Sequence, residues 1–159
     1  TLTLTLFIFL IQTKFLSTLI NHSSQGIIPM DTIVKILFAT AMLPLLINVI
    51  AAYFRNKELG YIDNRNPRQQ ALKLTGIGTR CYAAQQNSWE ALALISAAVL
   101  CAFLMGASAE QMLLPAQIFF AARIAYIACY LANWATLRSI VWIIGLAACI
   151  SLFRLNGVA

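Results

Sequence analysis

The residues best suited to chemistry lie in one stretch, Arg80 to Glu90, which reads RCYAAQQNSWE and leads directly into a long apolar run. Polar groups are costly in a bilayer, so such residues at the mouth of a membrane-crossing segment usually mark a site. At about 100° per residue, Arg80 and Asn87 fall on nearly one line of a helix, and Glu90 lies roughly a quarter-turn away. The sequence therefore predicts a helix with one polar stripe. The alternative is that this stripe is only the solvated end of a membrane helix.

A second polar stripe lies in the third apolar segment. Arg123, Tyr126 and Tyr130 have the spacing i, i+3 and i+7, which places them on one helical face. An arginine well inside a span costs about 2.5 to 3.5 kcal/mol on insertion scales, so Arg123 is expected to face protein, a partner charge or a bound anion. Two interpretations stay open: a ligand-binding face, or an ion pair of Arg123 with Glu90 that holds two helices together.

The composition identifies the class of protein that carries these stripes. Of the 159 residues, 61% are hydrophobic and 10% are charged, and the mean hydropathy is +0.81. Because soluble domains carry about 25% charged residues, the sequence predicts an integral membrane protein. Short polar breaks between the apolar runs indicate one compact all-α domain over residues 30–159. We predict a bundle of four membrane helices, at about residues 33–54, 71–104, 112–132 and 138–155.

The charges in the loops predict how the bundle is oriented. The segment 55–73 holds nearly half of the 11 basic residues, so the positive-inside rule predicts that this loop lies in the cytoplasm. The 105–111 break has no Lys or Arg and is expected outside, and the turn at 133–138 is expected in the cytoplasm. Arg65 and Arg68 could do no more than fix this topology or contact anionic lipid heads.

Residues 1–29 have a separate status. They are apolar over nearly a full span, but they contain Gln12 and Lys14 and end in a turn-like segment. Three interpretations are open: an upstream stretch outside the natural protein, an additional membrane helix, or a signal peptide. The signal peptide is the least favoured, because no positive region precedes the apolar part and no small-x-small cleavage site follows it.

The cysteines do not indicate a metal site. The four cysteines have no C-x-x-C spacing and lie in or near the predicted spans, so they are expected to be small core residues. No metal or nucleotide motif appears, and neither a metal nor a nucleic acid is expected as a partner.

The two stripes together resemble the MAPEG family, the membrane-associated proteins in eicosanoid and glutathione metabolism that include the microsomal glutathione transferases. The resemblance rests on the pattern R-x6-N-x2-E at 80–90 joined to A-R-I-x-Y-x3-Y at 122–130. It covers the chain from about residue 30 to the C terminus. The loop DNRNPR at 63–68 resembles a bacterial-type branch of the family and predicts a location in a bacterial inner membrane.

The resemblance implies a homotrimer with glutathione bound between neighbouring subunits on the cytoplasmic side. The implied glutathione-binding residues are Arg80, Asn87, Glu90, Arg123, Tyr126 and Tyr130. Arg138 lies where the family often has an arginine that stabilises the thiolate, so Arg138 and Tyr130 are the implied catalytic residues. The spacing between these two residues differs by about one residue from the spacing in the eicosanoid enzymes. The arginine that the eicosanoid enzymes carry four positions before the asparagine is Ala83 here. One carboxylate contact is therefore missing, or Arg80 supplies it.

The second helix is expected at the centre of this trimer. One four-helix unit cannot fully enclose the polar stripe while it leaves a ligand cleft open. Small side chains would allow the helices of neighbouring subunits to approach closely. The candidates are Ala83, Ala84, Ala91 and Ala97.

The residue types suit glutathione independently of the resemblance. Arginine forks suit its two carboxylates, and its thiol, with a pKa of about 8.5, becomes nucleophilic when a cation or hydroxyl stabilises the thiolate. The second substrate would be a lipophilic electrophile from the bilayer, conjugated or reduced with glutathione. Two other functions stay open: a non-catalytic lipid or glutathione binder of the same family, and a small transporter with Glu90 as its proton-coupled carboxylate.

Overall fold

The structure, a computed structural model, describes residues 30–155, so the interpretations of residues 1–29 lie outside the described residues. Within this range the chain forms five helices: α1 (Met30–Leu59), α2 (Pro67–Ala71), α3 (Gly76–Leu104), α4 (Ala109–Leu131) and α5 (Ala135–Phe153). Four of them, α1, α3, α4 and α5, are long and apolar enough to cross a membrane. The predicted all-α architecture with four membrane helices is therefore confirmed.

The first membrane helix is longer than its apolar segment. We predicted an end near residue 54, but α1 continues to Leu59 and stops at Gly60, which has a positive φ of 77°. Arg55, Lys57 and Glu58 favour a helix even though they disfavour lipid, and a left-handed glycine is a common helix end. Hydropathy therefore marked the end of the apolar core rather than the end of the helix.

The other predicted limits also differ from the observed helices. The helix predicted from residue 71 begins at Gly76, and a turn separates it from the short helix α2, which ends at Ala71. The helix predicted from 112 begins at Ala109, because Ser108 and Gln111 form a capping box: Ser108 Oγ accepts from Gln111 N at 3.3 Å, and Gln111 Oε1 accepts from Ser108 N at 2.8 Å. The last helix spans Ala135–Phe153 rather than 138–155.

Two helix pairs enclose the core, since α1 packs mainly on α3 and α5 mainly on α4. At the α4–α5 contact, Gly145 approaches Ala122 so closely that an added Cβ would lie 3.6 Å from the Ala122 Cβ. Cys81, Cys129 and Cys149 are buried and all four cysteines are free, as expected of small core residues. Close packing of small side chains is typical of membrane helices.

The connection between α1 and α3 is an ordered turn. The side chain of Gln70, which is only 2% exposed, donates to the Tyr61 carbonyl at 2.7 Å and accepts from the Asp63 N–H at 2.9 Å. Asp63 Oδ1 accepts from the backbone N–H groups of Asn66 at 3.0 Å and Arg65 at 2.8 Å. These backbone donors lower the pKa of Asp63 below its usual value. The connection therefore holds its side chains in fixed positions.

Glu58 joins the end of α1 to the start of α3. Its Oε2 accepts from Thr75 N at 2.9 Å and from Thr75 Oγ1 at 3.3 Å. A carboxylate is favourable there because a helix N-terminus has unpaired N–H groups and a positive dipole. Gly78 leaves room for it, since a Cβ on Gly78 would lie 2.7 Å from Glu58 Oε1.

This arrangement predicts that the effects of two substitutions on the free energy of unfolding are not additive. Glu58→Ala should lower the free energy of unfolding by about 1 kcal/mol, because the N-terminus of α3 loses its acceptor. Gly78→Ala should destabilise the wild-type protein by displacing the carboxylate, although alanine is the better helix former. In the Glu58→Ala background, Gly78→Ala should destabilise less, because only the Leu74 Cβ, 3.3 Å from the added Cβ, remains close. Thermal unfolding in detergent measures the wild type and the three variants, and additive losses would contradict the contact.

Candidate functional site

A polar network joins α3 to α4 in one half of the bundle. Arg123, which is only 3% exposed, donates from Nη2 to Asn87 Oδ1 at 2.7 Å. Asn87 in turn donates from Nδ2 to Glu90 Oε2 at 3.0 Å. The structure therefore brings together three residues that the two sequence stripes singled out.

Asn87 separates the two charged groups of this network. Among the described residues, the only ion pair joins Lys35 to Asp31, so Arg123 and Glu90 do not form the direct pair that was one interpretation of the sequence. The Nε of Arg123 is buried and has no hydrogen-bond acceptor among the described residues. A buried cation with an unused donor is suited to an anionic ligand.

A row of alternating guanidinium groups and aromatic rings continues from this network. The Cζ of Arg123 lies 4.3 Å from the centroid of the Tyr126 ring. Tyr126 and Tyr130 meet edge to face at 5.5 Å, and the Cζ of Arg138 lies 4.4 Å from the Tyr130 centroid. Cation–π contacts of this kind are favourable, and more so away from water. They place the two arginines at opposite ends of one row.

A tight turn between α4 and α5 brings Arg138 into this row. Asn133 adopts a positive φ of 62°, and Trp134 N donates to the Cys129 carbonyl at 2.9 Å. This bond closes the end of α4 in the manner of a helix C-cap, and α5 begins immediately at Ala135. Arg138 therefore reaches the Tyr130 ring across this turn.

A cavity of about 400 Å³ opens beside this end of the row, lined by Tyr126, Arg138, Ser139, Trp142 and Ile143. Trp142 and Ile143 are exposed on α5, on a helix long and apolar enough to cross a membrane. The cavity therefore combines a charged wall with an apolar wall. Such a pocket suits a molecule with one polar end and an apolar body.

Arg80 lies apart from the network that Arg123 forms. Its Nε donates to the backbone carbonyl of Leu131 at 3.2 Å, at the last residue of α4. A cation at this position satisfies one of the free carbonyls of the helix end. Arg80 thus links α3 to the C-terminus of α4, and it does not contact the other predicted site residues through a hydrogen bond among the described residues.

A second cavity, of about 570 Å³, was missed by sequence reasoning. Its polar lining residues are Asn48, Arg55, Asn64, Arg68, Tyr82, Gln85 and Gln86, with no carboxylate among the residues that line it. Arg55 is 9% exposed, its Nε lacks an acceptor among the described residues, and its long contacts to Asn48 Oδ1 and the Pro67 carbonyl both measure 3.5 Å. The i, i+7 spacing of Asn48 and Arg55 on α1 was the available signal.

A family model, that of the MAPEG family, matches residues 32–158 of the chain. The chain belongs to the MAPEG family. No curated protein and no solved structure matches it. The match includes both stripes and all four membrane helices, so the resemblance inferred from the sequence is confirmed.

Membership of the MAPEG family and the four apolar helices make this an integral membrane protein from a glutathione-related family. Among residues 30–155, no group of three or more His, Cys, Asp or Glu side chains could hold a metal ion. What the network of this MAPEG protein offers a ligand is a buried guanidinium, an amide and an exposed carboxylate, followed by two phenols and a second guanidinium. These groups complement a ligand that carries both carboxylate and ammonium charges.

Proposed function

We propose that this MAPEG protein is a membrane glutathione transferase that conjugates or reduces lipophilic electrophiles. The observation that carries the proposal is the Arg123–Asn87–Glu90 network, which continues into the row that ends at Arg138. Family membership supports a membrane glutathione transferase-like or related function in general. The roles of individual residues in the following paragraphs belong to the proposal.

Binding begins with the charges of glutathione. Arg123 receives a carboxylate, because its buried Nε is unsatisfied and no carboxylate of the described residues pairs with it. Glu90 is exposed and receives the ammonium group, and Asn87 keeps the two charged side chains apart. Tyr126 and Tyr130 line the path from this end of the site to Arg138. The arrangement fixes the direction in which the tripeptide lies.

Arg138 and Tyr130 act on the thiol. A thiol with a pKa of about 8.5 is mostly protonated at neutral pH, and a nearby guanidinium or hydroxyl donor favours the thiolate. In conjugation, the thiolate sulfur forms a bond to the electrophilic carbon, and the leaving group departs with its bonding electrons. The thiol proton passes to solvent. Stabilisation of the sulfur's negative charge before attack is the contribution of these two residues.

The electrophile enters from the bilayer through the cavity beside Arg138. Trp142 and Ile143 form its exposed apolar wall, which suits a lipophilic substrate that partitions into the membrane. Ser139 and Arg138 form the polar wall next to the proposed position of the sulfur. Reaction therefore takes place where the polar and apolar parts of the site meet.

The site is completed by a neighbouring subunit in a homotrimer around α3. Exposed residues on α3 follow a heptad-like spacing of four and three: Gln86, Glu90, Ala93, Ala97, Leu100 and Leu104. This pattern is typical of a helix that packs against its own copies. Ala84 and Ala91 are buried inside the subunit, so only part of the small-residue set predicted for the interface faces outwards.

The second cavity supplies the other half of the site. In the proposed trimer, the cavity of Arg55 in one subunit faces the Arg123 network of the next. Arg55 has an unused buried donor and receives the second carboxylate of glutathione. The eicosanoid enzymes carry an arginine at the position of Ala83. In this proposal Arg55 makes the carboxylate contact that such an arginine would make.

A bulky residue in the heptad-like face should weaken the trimer. Ala97→Phe places a ring where close approach is needed, and we expect a lower oligomer mass in mild detergent together with weaker glutathione binding. Ile144→Phe, at an exposed position on α5, is the matched control and should leave the mass unchanged. Mass measurement of the protein–detergent complex distinguishes them, and a wild-type protein that is strictly monomeric would contradict the assembly.

The site lies at the end of the bundle that we propose faces the cytoplasm of a bacterial inner membrane. The 55–73 and 133–138 segments are at this end, and the 105–111 loop is at the other. Cysteines introduced into the 55–73 and 105–111 segments should react with an impermeant reagent from opposite sides. Labelling from the same side would contradict this topology.

The transferase proposal is tested by the conjugation of chlorodinitrobenzene to glutathione by the purified protein in detergent or liposomes. A rate above that of an equal concentration of heat-denatured protein is expected. Glutathione binding without conjugation of this or other electrophiles would instead identify a non-catalytic binder. Proton flux that depends on Glu90, with no glutathione binding, would identify a transporter.

A further inference from the structure

We propose that the connection between α1 and α3 carries a second binding surface, which holds anionic phospholipid headgroups. The surface consists of three basic and three apolar side chains, and we call it the connecting surface: Lys57, Tyr61, Ile62, Arg65, Leu72 and Lys73. All six side chains are exposed. Apart from Lys57 at the end of α1, the surface lies outside the four long helices.

The apolar side chains of the connecting surface are not buried against other residues of the subunit and remain exposed. Leu72 is 75% exposed, the largest exposed fraction of any large hydrophobic residue among those described. Tyr61 and Ile62 are each about half exposed. Exposed apolar residues on α1, α3, α4 and α5 are expected to contact lipid chains, but these three belong to a polar connection. Side chains of this kind at the end of a membrane helix favour the region of the headgroups and upper acyl chains.

The basic members of the connecting surface are not held in ion pairs within the described part of the chain, although Lys73 interacts electrostatically with Asp63 at longer range. Lys57, Arg65 and Lys73 take part in no ion pair among the described residues. The two acids of the same segment are engaged by other groups: Glu58 accepts from Thr75, and Asp63 accepts from backbone N–H groups. The positive charge is therefore directed outwards, as in basic segments that bind acidic lipids at the cytoplasmic leaflet.

The connection presents these side chains in a fixed arrangement. Gln70, Ala71 and Leu74 are buried, whereas Leu72 and Lys73 between them are exposed. The hydrogen bonds of the Gln70 side chain to Tyr61 and Asp63 hold the two ends of the connection together. The backbone of the connection is therefore ordered before binding, and only the exposed side chains lose conformational freedom when a ligand binds. The mixture of cations and apolar side chains favours phospholipid, which offers an anionic phosphate beside apolar chains.

The test is a titration of the purified full chain, in a neutral detergent, with phosphatidylglycerol or phosphatidylcholine, with bound phospholipid counted by mass spectrometry. Phosphatidylglycerol should bind more tightly than phosphatidylcholine and should be displaced by salt. Arg65→Gln combined with Lys73→Gln should weaken phosphatidylglycerol binding about 30-fold, since each cation near an acidic lipid surface contributes about 1 kcal/mol. Arg154→Gln, an exposed cation at the opposite end of the bundle, is the matched control and should change nothing. Arg68 stays unaltered because it also lines the cavity of Arg55.

Equal binding of the two lipids, or unchanged binding by the double variant, would overturn the proposal. Leu72→Ser distinguishes a lipid site from the alternative, in which a neighbouring subunit covers the connecting surface. Weaker phosphatidylglycerol binding at an unchanged oligomer mass supports the lipid site, whereas a lower oligomer mass would show that Leu72 is a subunit contact and would overturn it. Glutathione binding serves as the independent readout, because none of the altered residues belongs to the proposed glutathione site.

Discussion

Arg123→Leu should yield a folded protein that no longer binds glutathione measurably. The proposed carboxylate contact is made by a buried guanidinium, and loss of one partner of a buried charged contact costs at least about 2 kcal/mol, or roughly 30-fold in affinity. Calorimetric titration of the detergent-solubilised variant measures this effect. Arg154→Leu removes an exposed arginine and serves as the control, with wild-type affinity expected.

The same variant distinguishes a ligand-binding arginine from a structural one. Arg123 contacts Asn87 rather than Glu90, so its loss leaves no buried carboxylate without a partner. We expect thermal stability without ligand to fall by about 1 kcal/mol, the value of one hydrogen bond, and not by the roughly 3 to 5 kcal/mol that follows from breaking a buried pair. Wild-type affinity in Arg123→Leu would remove Arg123 from the site. Recovery of stability in a double variant with Glu90→Leu would support the structural pair instead.

Arg138→Gln should abolish most of the conjugation activity and leave most of the glutathione affinity. Its guanidinium lies over the Tyr130 ring at the end of the row opposite Arg123, so its proposed role concerns the thiol. Loss of one group that stabilises developing negative charge lowers kcat by about 100-fold to 1,000-fold in comparable sites. The measurement is kcat for chlorodinitrobenzene together with the glutathione Kd, which should change only a few-fold.

The pH dependence of the Arg138 variant gives a second test. Without the cation the pKa of the bound thiol rises towards that of free glutathione, so the rise of kcat with pH should move to higher pH. Arg138→Lys keeps a positive charge but loses the planar stack on Tyr130, and it should fall between wild type and Arg138→Gln. A pH profile identical to that of wild type would contradict a role for Arg138 in thiol ionisation.

The sequence was sufficient to predict the number and order of the membrane helices, because four apolar segments of spanning length leave few alternatives. It also predicted that the stripes of α3 and α4 are polar, from helical phase and the family pattern. The contact between Asn87 and Arg123 depends on how α3 and α4 pack, which phase alone does not determine. The separation of Glu90 from Arg123 by an amide is likewise a property of that packing.

Other features could not be read from residue types. From its charge, Arg55 was predicted to lie in the basic loop 55–73. Instead α1 extends past Arg55, which is buried beside Asn48. Arg80 was predicted to belong to the polar stripe of α3. Because the end of α4 packs close to it, Arg80 donates a hydrogen bond to the Leu131 carbonyl. The left-handed Asn133 sets the position of Arg138, and a single asparagine in a polar turn does not predict that conformation.

The most direct test of the account is calorimetric titration of the wild-type protein with glutathione, in two buffers of different ionisation enthalpy at neutral pH. We predict saturable binding with net proton release, because the site binds the charges at Arg123 and Glu90 and ionises the thiol beside Arg138. Binding should persist in Arg138→Gln with less proton release and should be lost in Arg123→Leu. The absence of saturable binding to the wild-type protein, or binding that Arg123→Leu leaves unchanged, would contradict the account.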